Sequence, residues 1–131
     1  MISGRFRTDY FARHWTGNIN GYCVFPECNQ MIGDLKHMLL QCLALNSERQ
    51  RLWSMFQTKS AHFPELLVAF QQLHDDEAKL QFLMDPINIP GFEMLYKLYG
   101  QPLIHHLYYL TRTYNFYHYR RKQILLNQWK N

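Results

Sequence analysis

Acidic side chains vanish from the end of this chain. Between Gln101 and Asn131 there are five Lys and Arg residues and no Asp or Glu. Long apolar runs are missing too, and no stretch approaches the ~18 residues that a membrane span requires. The reading therefore excludes a transmembrane segment. Met1 is followed by polar and basic residues rather than an apolar run, so no signal peptide is expected. No phosphate-cradling glycine loop, nucleophile elbow or paired-carboxylate motif occurs. The expectation is a protein without catalytic activity and without a small-molecule substrate. Sustained period-two alternation, internal repeats and low-complexity segments are absent, which argues against a sheet protein or a solenoid.

Cysteine is scarce as well, with three in 131 residues. An odd number cannot all pair, and the expected compartment is reducing, nuclear or cytoplasmic. Yet all three lie within twenty residues, in the pattern C-x4-C-x8-H-x4-C formed by Cys23, Cys28, His37 and Cys42. Three thiolates and one imidazole suit a four-coordinate, closed structural zinc site. With four protein ligands no coordination position stays open for water, so one structural Zn2+ is the expected cofactor. Its binding energy would be part of the folding energy. The same residues also fit buried reduced cysteines beside an incidental histidine, or a Cys23–Cys28 disulfide. His37 and Cys42 sit on one short helical segment beginning near Asp34, a plausible N-cap. Cys42 falls one step past the position that shares the histidine's face, so a frayed final turn is expected there.

Composition fits a folded chain: 47% of residues are hydrophobic, 16% aromatic and only 18% charged. Charge is segregated. Residues 1–62 carry seven bases against four acids, residues 63–100 two against six, and the rest is wholly basic. Basic ends around an acidic middle fit a polyanion partner, RNA or DNA, and equally fit a solvated surface with internal pairing. Candidate phosphate contacts are Arg5, Arg7, Arg13, Lys36, Arg112, Arg120, Arg121 and Lys122. The run from Arg112 to Lys122 interleaves bases with tyrosines, as single-stranded nucleic acid would favour. Tyr114 and Tyr117, three apart, also fit a core stripe.

The expected fold is mainly α: an N-terminal helix, a CCHC-type zinc knuckle and several C-terminal helices. Residues 1–58 hold the first helix, the knuckle and a following helix. Residues 59–131 form a helical region packed on them within one domain. Phe6, Tyr10 and Phe11 give the first helix an apolar face. Ser47 and Gln50 stand at capping-box spacing before a helix burying Leu52, Trp53 and Phe56. Pro64 starts a helix with Leu66, Leu67, Phe70 and Leu73 inward. The acidic Asp75-Asp76-Glu77 suits another helix start, and Asp85-Pro86 ends that helix. Pro90 begins a short helix closed by Gly100. The longest helix runs from Pro102 to about Gln128, burying Leu103, Leu107, Leu110, Tyr114, Tyr117, Ile124 and Leu125. Weak propensity from Thr111 to Tyr119 leaves room for a kink near Asn115. His105, His106 and His118 have no fixed mutual geometry and read as surface histidines.

Four ordered blocks carry a resemblance. They are Ser3-Gly4-Arg5-Phe6-Arg7-Thr8-Asp9-Tyr10 with Arg13-His14-Trp15; the knuckle, with its Phe25-Pro26-x-Cys28 turn and Leu35-x-His37; Phe82-Leu83-Met84-Asp85-Pro86; and Tyr109-Leu110-Thr111-Arg112-Thr113. Together they resemble the region downstream of the reverse transcriptase domain in metazoan non-LTR retrotransposons of the jockey type. The resemblance implies a C-terminal accessory region whose knuckle contacts the element's RNA or target DNA, with Cys23, Cys28, His37 and Cys42 as ligands. Leu43 stands where that family usually has proline. Polymerase and endonuclease motifs are missing, so neither activity carries over. Partners implied are RNA or DNA, or the reverse transcriptase domain or another protein. In the competing reading the chain is an interaction or intramolecular scaffold in which zinc is only a staple, or a detached fragment without a cellular role.

Overall fold

The structure, a computed structural model, describes Cys23, Phe25–Cys28 and residues 32–130, with the side chains of the last two of these left aside. The expected N-terminal helix lies outside the described residues, as do Arg5, Arg7 and Arg13. What is described is mainly α-helical, as the periodicity predicts. Five α-helices follow one another: α1 Asn46–Thr58, α2 Pro64–Gln71, α3 Asp76–Met84, α4 Phe92–Tyr99 and α5 Gln101–Lys130. Before them come a 3-10 turn at Pro26–Cys28, a π-helical turn at His37–Gln41 and a second 3-10 turn at Leu43–Leu45. No described helix is long and apolar enough to cross a membrane.

The chain divides into two compact units. One comprises residues 51–115, and the other the described residues before these together with those from Phe116 onward. The 51–115 unit has an aromatic core. Phe56 is 1% exposed and lies 5.3 Å from Phe70, 6.0 Å from Phe82 and 5.6 Å from Tyr114, ring centre to ring centre. Leu52, Leu66, Leu83, Leu103, Leu107 and Leu110 complete it, all buried. Offset and edge-on aromatic contacts at these distances add specificity to apolar burial. Trp53 is half-buried at its edge, with the Lys79 ammonium over the indole.

Helix boundaries follow recognisable chemistry. Pro64 opens α2, where its missing N–H costs nothing. Asp75 caps α3 by accepting the Ala78 amide at 2.7 Å. Asp85-Pro86 ends α3, and Gly100, at φ 68°, ends α4 in a backbone region that disfavours other residues. Two expectations need correcting. Ser47 lies inside α1, because the 3-10 turn runs straight into that helix from Leu45. Pro90 precedes α4 without starting it, because Gly91 takes a left-handed conformation (φ 76°) and the helix begins at Phe92.

Helix α5 runs through Asn115 without a break. Thr111 and Thr113 direct their hydroxyls to the carbonyls of Leu107 and Tyr109, four residues back, at 3.1 and 2.7 Å. These hydroxyls are thereby satisfied within the helix instead of competing with it. The Asn115 side-chain amide donates to the Leu83 carbonyl at 3.1 Å, a carbonyl in the last turn of α3. The buried face runs through Leu103, Leu107, Leu110 and Tyr114, as expected. It then continues through Asn115, His118 and Lys122, while Tyr117 and Ile124 are exposed and Leu125 is half-buried. The every-fourth-residue row Leu110, Tyr114, His118, Lys122 decides the matter: helix geometry buries positions rather than residue types.

Candidate metal centre

Cys23, Cys28, His37 and Cys42 converge. Their ligand atoms all lie within 4.8 Å of one another, and all four side chains are buried. Cys42 Sγ is 3.9 Å from Cys23 Sγ and 3.7 Å from Cys28 Sγ. All three cysteines are free in the structure, with no Cys23–Cys28 disulfide formed. The group could hold a metal ion, and no second such cluster occurs among the described residues.

Local sequence explains how the ligands meet. Pro26 opens a tight turn that the Cys28 amide closes by donating to the Phe25 carbonyl at 3.1 Å. Asp34 Oδ1 accepts the His37 amide at 2.9 Å, so the expected cap is present. The expected frayed turn is corrected: the segment widens instead. The Cys42 amide donates to the His37 carbonyl, five residues back, at 2.7 Å. In an α-helix of 3.6 residues per turn, position +5 lies well round from position 0. The extra residue in a π turn brings the two ligands back toward one side, and such turns are frequent at functional sites. Cys42 itself leaves the helix at φ −63°, ψ 120°.

Electrostatics set the cysteines apart. The Cys42 thiol is lowered to about 4, chiefly by the hydrogen bond from Cys23, with His37 and Cys28 also lowering it against the opposing effect of burial. The Cys28 thiol is raised, first by burial and then by the charge of Cys42. His37 is 1% exposed, and neither ring nitrogen makes a hydrogen bond of regular geometry, although the ring lies close enough to Cys42 to lower its thiol. Buried polar atoms are almost always satisfied. A metal on one imidazole nitrogen would account for half of this anomaly directly.

The remaining candidates scatter. Arg112, Arg120 and Arg121 are exposed, Arg112 lying 5.9 Å from the centre of the Tyr108 ring. Lys36 is half-buried and engaged elsewhere. Lys122 is a correction: at 3% exposure and with an interaction of its own, it is not part of an exposed basic face. Its position on the buried row of α5 is the reason. The three histidines of α5 do not converge. His105 is exposed and His118 buried, and His106 Nε2 lies 2.9 Å from the Oγ of the buried Ser60. The approach of Arg49 to Cys42 had no signal in the sequence, and the π turn had only the indirect one of the His37–Cys42 spacing. No family model, curated protein or solved structure matches the chain.

Proposed function

We propose that this protein is a non-catalytic, zinc-binding module associated with nucleic acid, of the retroelement-tail kind that its sequence resembles. The observation that carries the reading is the buried Cys3His cluster around unpartnered imidazole nitrogens. Thiolates bonded to zinc at about 2.3 Å in a tetrahedron stand about 3.8 Å apart. The two sulfur separations of 3.9 and 3.7 Å fit that edge length. Four protein ligands fill the tetrahedron, so the metal's role is structural and no substrate position remains on it. Zinc would offset two of the three thiolate charges, engage one imidazole nitrogen and join the Pro26–Cys28 turn to the His37–Gln41 turn.

Metal content of protein purified under reducing conditions tests the first half. One zinc per chain, lost with Cys28→Ser or His37→Ala, is the expected result. Folded, metal-free wild-type protein would refute it. The nucleic-acid half rests on the acid-free stretch after Gln101 and on exposed Arg112, Arg120 and Arg121. If each neutralises one phosphate of a single strand, log K should fall with log salt at a slope of about −2. No binding at low salt to RNA, single-stranded DNA or duplex would remove this half.

A second reading has its own observation. Phe116, Tyr117 and Ile124 are exposed on α5 beside Arg120 and Arg121. This mixed face suits docking against another protein, with zinc only a staple. Phe116→Ser and Ile124→Ser weakening a protein complex, with nucleic-acid affinity unchanged, would favour it.

A further inference from the structure

Both backbone polar groups of Cys42 are engaged. The Cys42 amide donates to the His37 carbonyl at 2.7 Å, and its carbonyl accepts the Leu45 amide at 3.2 Å. The same carbonyl accepts two nitrogens of the Arg49 guanidinium, Nη1 at 2.9 Å and Nη2 as well. Arg49 is half-buried on the first turn of α1, seven residues past the cysteine. Cys42 lies at the junction between the π turn and a 3-10 turn, where neither element's regular ladder continues through it. Apart from Arg49, only the longer Leu45 bond holds this carbonyl among the bonds described.

Charge adds a second argument. Three thiolates, a neutral imidazole and a divalent cation sum to one net negative charge. A guanidinium fixed on the peptide of a ligand is well placed to offset it, and a guanidinium fork loses less freedom per hydrogen bond than an ammonium. Groups just outside a metal's ligands orient them and tune their basicity.

We propose that Arg49 is a positioning residue for the metal centre: its fork fixes the Cys42 peptide, and hence its sulfur, while its charge offsets that of the thiolates. The proposal rests on the reading of the cluster as a metal site. The plain alternative is that Arg49 merely stitches the 3-10 turn to α1.

The test uses the full chain, Co2+ as a visible probe and Zn2+ by competition with a chromophoric chelator. Arg49→Gln and Arg49→Lys are compared with the unsubstituted protein. Arg49→Gln should weaken metal binding by about 10–100-fold, shift the cobalt d–d bands and speed iodoacetamide alkylation of the loaded centre. Arg49→Lys, keeping charge without the fork, should restore resistance to alkylation while recovering affinity only in part. Wild-type affinity, spectrum and alkylation rate in Arg49→Gln would overturn the proposal. So would weaker binding that tracks a loss of helicity in the loaded protein, with unshifted cobalt bands, since that is the stitch alone. Failure of the unsubstituted protein to take up either metal would overturn the metal reading itself, and this proposal with it.

Discussion

Replacing His37 with leucine should have opposite effects on stability with and without metal. The imidazole is 1% exposed and neither nitrogen is hydrogen-bonded. A buried polar group without a partner costs about 1–3 kcal/mol. Leucine has a similar volume and no polar atom, so metal-free His37→Leu should be more stable than the metal-free parent by about that amount. With zinc present the order reverses. A ligand at 1,000 times its dissociation constant stabilises the folded form by about 4.1 kcal/mol, and a centre reduced to three cysteines forfeits much of this. Urea unfolding followed by far-UV circular dichroism, under reducing conditions with chelator or with excess zinc, reads both arms. Equal destabilisation in both would refute the reasoning, because His37 would then be an ordinary packed residue. Equal stability in both would do so as well.

Other consequences are independent of the metal. Asn115→Ala removes the donor to the buried Leu83 carbonyl and should cost about 2 kcal/mol, read from the urea midpoint; an unchanged midpoint would show that water replaces the bond. Phe56→Ala empties the centre of the aromatic core and should cost about 3–5 kcal/mol, enough to leave a marginal domain largely unfolded by the same assay. His106 is held below its ordinary value by burial and then by the charge of His62. A base with a lowered folded pKa contributes fully above its unfolded value near 6.5 and loses that contribution as pH falls through the folded value. Between pH 7.5 and 5.5, His106→Asn should therefore lose less stability than wild type, by thermal unfolding at each pH; equal losses would discard this account.

Much of the architecture was legible because it depends on short-range chemistry. Proline at Pro64, carboxylates at Asp34 and Asp75 and glycine at Gly100 act on their immediate neighbours, and each stands where the structure uses it. Leu103, Leu107, Leu110 and Tyr114 are buried because their spacing matches the helical period. The cysteine cluster could be read for another reason: cysteine is rare, so three within twenty residues carry information without any fold. What stayed hidden depends on position within a packed whole. Lys122 and His118 are buried although their chemistry favours water, since a long lysine stem can lie along apolar surface and the helix row carries both inward. Tyr117 and Ile124, apolar by composition, lie off that row. The π turn is nearly silent in sequence: nothing in His37-Met38-Leu39-Leu40-Gln41 distinguishes five residues per hydrogen bond from four, and only the five-residue step between the two ligands hints at a departure from regular helix. Arg49 reads as an exposed helix cation until its fork is seen on Cys42.

The bond from the Cys42 amide to the His37 carbonyl joins two ligands of one cluster through the backbone. Its proton is therefore a gauge built into the chelate. That proton can exchange with solvent only when the π turn opens, and opening the turn separates His37 from Cys42. The deuterium uptake of a single amide thus reports the lifetime of the closed cluster, residue by residue and without a label. It should lengthen sharply as zinc is titrated in. The amides of Phe56 and Leu110, deep in the other unit, supply the internal clock against which that lifetime is read.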